Sequence, residues 1–371
     1  MKYYLIAGEA SGDLHASNLM RGIKQFDTNA EFRFFGGDLM AKIGGEPVKH
    51  YKEMAFMGFL EVVKNLRQIS KNLRYCKNDI TNYNPDAVIL VDYPGFNMRI
   101  AKFAKQAGFK VFYYIAPKVW AWRESRVKLL KKYVDHLMVI FPFEVDFFKK
   151  HGINVIFEGN PLIDALKQEE KEQKDFRRTN KLSDNPIIAL LAGSRKQEIS
   201  YNLPVMINLS RQIKDYQFVI AGAPSLSESV YSPHINNTDI KIVFDKTHEL
   251  LRNSALAVVT SGTATLEAAL LNVPEVVCYK GSTVSMLIAW AVIKIKYISL
   301  VNLIMKREVV KELVQYKLNN SSLLKEVHSL LPGEPKRQIM LNDFKELKQK
   351  LGSEGASSRF AEKVVTLTNK N

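Results

Sequence analysis

Short apolar runs that never alternate with polar residues, each closed by glycine, aspartate or proline, recur along both halves of the chain. Ala87–Val91 stops at Asp92, Val111–Ile115 at Ala116-Pro117, and Leu137–Phe141 at Pro142. Runs of this kind suit strands buried on both faces of a parallel sheet. Tyr3–Ala7 leads into Gly8-Glu9-Ala10-Ser11-Gly12-Asp13, after which Ala16, Leu19, Met20 and Ile23 fall on one face of a helix. Lys167–Asn185 breaks the pattern with a dense run of charges and reads as a solvated helix or linker. The strand–glycine–helix pattern then restarts at Ile187–Leu191 and Ala192-Gly193-Ser194-Arg195, with further strands expected at Phe218–Ala221, Ile240–Phe244, Leu256–Val259 and Val276–Tyr279. The fold expected is α/β, two doubly wound Rossmann-like domains at 1–164 and 187–345. A charged linker over 165–186 joins them, and helices over 346–371 follow.

Length and composition narrow the function. A chain of 371 residues suits two domains. Lysine and arginine exceed aspartate and glutamate by 15, which points to an anionic partner such as nucleic acid, acidic lipid or phosphorylated metabolites. Cys76 and Cys278 are the only cysteines, so a disulfide framework and a cysteine-based zinc site are excluded. The first apolar run is too short for a signal peptide, and a reducing cytoplasm is the expected compartment. Val284–Ile293 is apolar but far short of the ~20 residues a spanning helix needs. No Asp-x-Asp, no ligand-like histidine spacing and no Gly-x-Ser-x-Gly elbow occurs, so the site expected is one without metal or cofactor.

Chemistry gathers at the strand ends. Gly8–Asp13 is neither a dinucleotide fingerprint nor a Walker loop. A tight turn with Asp13 as helix cap explains its glycines as well as a ligand loop does, although Glu9 serves packing poorly. Asp92 closes a buried strand where open α/β sheets bind ligands, and a helix-capping role fits it equally. Trp120 and Trp122 stand beside Lys118, Arg123 and Arg126, a mixture suited to nucleobases, to a sugar or lipid wall, or to a plain basic helix. Gly193-Ser194-Arg195 sets a guanidinium beside backbone donors, a combination that fits a pyrophosphate. Thr260-Ser261-Gly262-Thr263-Ala264-Thr265-Leu266-Glu267 gathers hydroxyls and amides at a helix start, with Glu267 placed to accept from ribose hydroxyls. An ordinary capped helix explains the same residues.

In this order the motifs resemble the lipid-A-disaccharide synthases, a family of GT-B glycosyltransferases. The resemblance runs through Gly8–Asp13, Met57–Val62, Val119–Arg123, Pro142–Glu144, Gly159–Leu162, Gly193–Arg195, Ser261–Glu267 and Tyr297–Leu303. It implies UDP-2,3-diacylglucosamine as donor and 2,3-diacylglucosamine 1-phosphate as acceptor, joined by a β(1′→6) linkage with release of UDP. It also implies a cleft between the two domains, C-terminal helices that cross back to the first, and work at the anionic inner face of the cytoplasmic membrane. Peripheral attachment is expected through Met54–Val63 or Val284–Ile293, and a second copy of the chain is an expected partner.

Asp92, Glu9 and Arg195 are the expected catalytic residues. Ser11, Gly12, His15, Trp122, Gly193, Ser194, Ser261, Gly262, Thr263, Thr265, Glu267 and Asn302 are the expected substrate contacts. Many family members carry aspartate where this chain has Gly95, so the base is sought among Asp92, Glu9 and, outside the family motif, His15. Rival readings are an N-acetylglucosaminyltransferase, a UDP-sugar 2-epimerase and a non-catalytic nucleic-acid binder. The last finds no RRM, KH or helix-turn-helix signature, and nucleic acid is not an expected partner.

Overall fold

A computed structural model describes residues 1–54, 65–122, 124–170, 175–236, 238–282 and 296–369. Two compact units emerge: Met1–Ala165 with Leu351–Asn371, and Leu166–Lys350. Met57–Val62, Arg123 and Val284–Ile293 lie outside the described residues, so both expected membrane segments, apart from Met54, do too. Among the described residues no helix is long and apolar enough to cross a membrane.

The first unit is built on seven parallel strands: β1 Lys2–Ala7, β2 Glu31–Gly36, β3 Glu46–His50, β4 Ala87–Val91, β5 Lys110–Tyr114, β6 His136–Val139 and β7 Val155–Phe157. Their spatial order is β3-β2-β1-β4-β5-β6-β7. Successive strand residues point to opposite faces, and the sheet feeds a core on each side. Tyr4, Ile6, Val88, Leu90, Val111 and Tyr113 join one, while Tyr3, Leu5, Ile89, Val91, Phe112 and Tyr114 join the other.

The last helix, Ala356–Asn369, belongs to this unit, as the family resemblance implied. It adds Phe360, Ala361, Val364 and Val365 to the second core, each worth up to ~1.5–3 kcal/mol for the larger side chains. Gly22 on the helix Ala10–Phe26 is the contact point: a Cβ there would approach Ala361 to 2.7 Å. Asp164 accepts from the amides of Gly355 at 2.6 Å and Ser357 at 2.8 Å, fixing the start of the returning helix. The preceding helix, Pro335–Leu351, lies almost wholly in the second unit.

That second unit has six parallel strands: β8 Ile187–Leu191, β9 Gln217–Gly222, β10 Lys241–Phe244, β11 Ser254–Thr260, β12 Glu275–Tyr279 and β13 Lys311–Val314. They are ordered β10-β9-β8-β11-β12-β13. The charged stretch before β8 is less solvated than its composition suggests. Phe176 is buried in the core of this unit, and Arg177 donates to the carbonyls of Ser183 and Asn185 at 2.5 and 2.9 Å. One apolar ring and one guanidinium thus anchor residues 176–185 of a segment that its charges mark as linker.

Candidate active site

In each sheet the strand order reverses once, between β1 and β4 and between β8 and β11. Neighbouring loops diverge at such a switch point and leave a crevice at the carboxyl ends, where open α/β sheets take ligands. Register pairs Ala7 with Val91 and Leu191 with Val259, so the loops that follow start side by side. Gly8–Asp13, Asp92–Gly95, Gly193–Arg195 and Ser261–Glu267 begin in these four loops.

In the first unit, Glu9 is half-buried and is the N-cap residue of the helix Ala10–Phe26. Ser11 is exposed, Gly12 is buried against Ala7, and His15 is half-buried in the second turn. A Cβ at Gly8 would overlap the Tyr93 ring, so this glycine is needed for a close approach rather than for a turn. Asp92 and Tyr93 both take left-handed backbone, with φ of 43° and 47°. Consecutive residues in that region cost of order 1–2 kcal/mol each and persist only where neighbours hold them.

The neighbours are identifiable. Tyr113 Oη donates to the Asp92 carbonyl at 2.7 Å. Asn97 Nδ2 donates to the same carbonyl at 2.9 Å and to Val91 O and Ile6 O at 3.2 and 3.3 Å. Tyr93 Oη is anchored on Met54 O at 2.8 Å. Burial raises the Asp92 carboxyl to about 6; Lys118 pulls it down and the charge of Glu9 pushes it up. Glu9, Asp92 and Lys118 therefore share one electrostatic environment at the first switch point.

Asp13 does not cap its own helix. It lies buried inside the helix Ala10–Phe26 and accepts from the amides of Gly37, Leu39 and Met40 at 2.8, 3.0 and 3.2 Å, capping the neighbouring helix Asp38–Ile43. Trp120 is not presented for stacking on a base. Its Nε1 donates to Glu144 Oε1 at 2.9 Å and its ring packs edge-on against Phe143. Glu144 also accepts from Ile140 N and Phe141 N, and burial raises its carboxyl to about 7. This bond ties the Val119–Trp122 block to the Pro142–Glu144 block. The backbone of Trp122 is described, but its side chain lies outside the described residues.

In the second unit, Gly193 has φ 115°, and a Cβ there would come within 2.6 Å of Glu198. Glu198 holds this turn: its Oε2 accepts from Ser194 N at 2.9 Å and its Oε1 lies 3.4 Å from Arg195 Nη1. Arg195 is the N-cap residue of the helix Lys196–Ile207, and its side chain is 68% exposed, available to a ligand. On the adjacent loop, Gly262 has φ 137° and precedes the helix Thr263–Leu270. Ser261 Oγ donates to Ile298 O at 2.8 Å, joining this loop to the Tyr297–Leu303 block. Glu267 is half-buried, 3.4 Å from His248 Nε2.

Two expected contacts are braces. Thr265 is fully buried and its Oγ1 donates to Gly262 O at 2.9 Å. Asn302 is fully buried with both ends of its amide engaged: it donates to Val310 O and Glu312 Oε1, each at 2.9 Å, and accepts from Val309 N and Val310 N. Either residue can act on a ligand only through the loop it holds. Asn202, which sequence reasoning passed over, does the same for the loop after β12, pairing with the backbone of Lys280 in both directions. Among the described residues no cluster of three histidine, cysteine or acidic side chains is arranged to hold a metal ion.

The family model for lipid-A-disaccharide synthetase matches residues 3–364. The chain is 35% identical to the lipid-A-disaccharide synthase of Syntrophus aciditrophicus, covering 99% of this chain and 98% of that one. It is 35% identical to that of Coxiella burnetii, covering 98% and 97%. Among solved structures, UDP-GlcNAc 2-epimerase from Neisseria meningitidis bound to UDP-GlcNAc superposes with a TM-score of 0.71 at 13% identity, covering 99% of this chain and 100% of that chain. The Methanocaldococcus jannaschii UDP-GlcNAc 2-epimerase in complex with UDP-GlcNAc and UDP gives 0.68 at 16%, covering 99% and 100%. At such identities the structural likeness speaks for the fold alone.

Proposed function

The chain belongs to the lipid-A-disaccharide synthase family, and on that premise we propose how its residues divide the chemistry. It is an inverting glycosyltransferase of GT-B fold, joining UDP-2,3-diacylglucosamine to 2,3-diacylglucosamine 1-phosphate with release of UDP. The observation that carries the assignment is the pairing of motif loops at both switch points: Glu9 with Asp92 in one unit, Arg195 with Ser261–Glu267 in the other.

Asp92 is the base that takes the proton from the acceptor 6-hydroxyl. A carboxyl near 6 is about nine-tenths ionised at pH 7 yet close enough to neutrality to accept a proton in the transition state. Glu9 orients the acceptor hydroxyls. Attack on the anomeric carbon, from the face opposite the diphosphate, inverts an α-linked donor to a β-linkage. Arg195, with the amides at the start of the helices Lys196–Ile207 and Thr263–Leu270, takes up the charge that grows on the leaving diphosphate. Glu267 accepts from the ribose, and the excess of 15 basic residues supports peripheral attachment to an anionic inner-membrane surface.

The test is acceptor dependence. UDP is expected to appear only when both acylated substrates are supplied. Epimerisation of UDP-GlcNAc, without any requirement for acceptor, overturns the reading in favour of the structural neighbours' chemistry.

A further inference from the structure

Away from the carboxyl ends, the second unit has a cavity of about 450 Å³ where β8, β9 and β10 begin. Strands of five residues put it roughly 17 Å from the Gly193–Arg195 loop, so it is distinct from the proposed nucleotide site. Its volume falls within the ~300–1,000 Å³ usual for small-molecule sites, but its lining is polar rather than apolar. Lys181, Arg211, Lys214 and Lys241 line it against a single carboxylate, Asp239. Lys214 Nζ donates to Ser210 O at 3.2 Å, completing a helix end, but Lys181, Arg211 and Lys241 have no ion pair among the described residues.

The wall is preformed. Gln217 Nε2 donates to Ser183 O at 2.7 Å and to Asn185 O at 2.5 Å, while its Oε1 accepts from Ser183 N at 3.1 Å. Arg177 donates to the same two carbonyls. A polar pocket with one wall hydrogen-bonded in place and an excess of cations attracts an anion of matching charge. A phosphate carrying up to two negative charges and three acceptor oxygens answers this better than a carboxylate with one charge, and the guanidinium fork of Arg211 suits its geometry.

We propose that this cavity is a second ligand site, separate from the active site, that binds a phosphate ester. Its hydroxyl and amide lining would accommodate a polyol attached to the phosphate, whether in a soluble metabolite or in a phospholipid headgroup.

Titration calorimetry with glycerol 3-phosphate, in saturating UDP to fill the nucleotide site, and sedimentation with phosphatidylglycerol vesicles separate these two sources. Three proteins are compared: wild type, Arg211→Ala with Lys241→Ala, and a charge-matched control, Lys345→Ala with Lys348→Ala. Removing one cation beside an anionic partner costs about fivefold in affinity, so the groove variant is expected to bind roughly 25-fold more weakly, with the control near wild type. Loss confined to glycerol 3-phosphate assigns the site to a soluble ester; loss with the vesicles, with or without the soluble ester, assigns it to a headgroup. Failure of wild type to bind either probe, or equal losses in groove variant and control, overturns the proposal. Neither Arg211 nor Lys241 belongs to the proposed active site, so UDP release by the groove variant stays at the wild-type rate in detergent solution. Failure of this site is thereby distinguishable from failure of the proposed activity.

Discussion

Replacing Asp92 by asparagine should make the protein more stable and far less active. Asparagine keeps the shape and tolerates the left-handed backbone at φ 43°, so the loop is retained. The native carboxyl is raised from 3.8 to about 6, chiefly because burial disfavours its charge. At about 1.36 kcal/mol per pH unit this corresponds to at most ~3 kcal/mol. The side chain is only half-buried and water still reaches it, which reduces the figure to about 1–2 kcal/mol.

The folded state holds the Asp92 proton more tightly than the unfolded state does. The destabilisation is therefore absent below about pH 3.8, grows as pH rises through 6, and is complete at neutrality. Denaturation at pH 7 should show Asp92→Asn gaining about 1–2 kcal/mol, or roughly 2–8 °C in Tm, with the gain shrinking toward pH 4. Its kcat should fall about 10²–10⁴-fold with UDP affinity unchanged. Wild-type kcat/KM should drop tenfold per pH unit below about pH 6, and the variant should lose that limb. Glu9→Gln should cost less in kcat and more in acceptor KM. A variant at Asp92 that stays active, or that loses stability at pH 7, refutes the reasoning; if Glu9→Gln is the more damaging change, the two roles are exchanged.

Arg195→Ala should lower kcat by about 10²–10³-fold with a smaller effect on donor binding, and EDTA should leave wild-type turnover intact; normal turnover in the variant removes Arg195 from the mechanism. Asp13→Ala strands three amides of the neighbouring helix and should cost roughly 1–3 kcal/mol in urea denaturation, an unchanged midpoint contradicting the capping role. A Cβ at Gly95 meets nothing within 4 Å, so Gly95→Asp should fold without steric cost. Its added charge should move the acid limb of the activity profile to higher pH by opposing ionisation of Asp92, and a limb that stays in place shows the two carboxylates do not interact.

The doubly wound architecture was legible because its central strands are unbroken apolar runs. Ala87–Val91 and Ile187–Leu191 are buried throughout, as a parallel sheet covered on both faces requires of its central strands. The edge strands β3 and β13 left no such trace. β3 reads Glu-Pro-Val-Lys-His and β13 reads Lys-Glu-Leu-Val, each paired on one side only. In β2, Arg33 interrupts the apolar run, yet its guanidinium is held by Asp79 and Glu46, partners 46 and 13 residues away.

Strand-end loops were legible for the same reason as the strands they follow: glycine, serine and acidic residues gather where backbone must turn and meet a ligand. Residues that steady those loops were not. Asn97 reaches Ile6 across the sheet, and Asp13 reaches the helix at Asp38, contacts that only the folded chain creates. Glu198 is the exception that left a signal, a glutamate three residues after the N-cap residue Arg195.

Mass spectrometry of the product, with NMR of its new anomeric centre, tests the central claim most directly. Purified protein incubated with UDP-2,3-diacylglucosamine and 2,3-diacylglucosamine 1-phosphate should yield one tetraacylated disaccharide 1-phosphate with a β(1′→6) linkage, in equal amount to the UDP released. Retention of the α configuration contradicts single displacement assisted by Asp92, and conversion of UDP-GlcNAc to its 2-epimer in place of any disaccharide contradicts the assigned function itself.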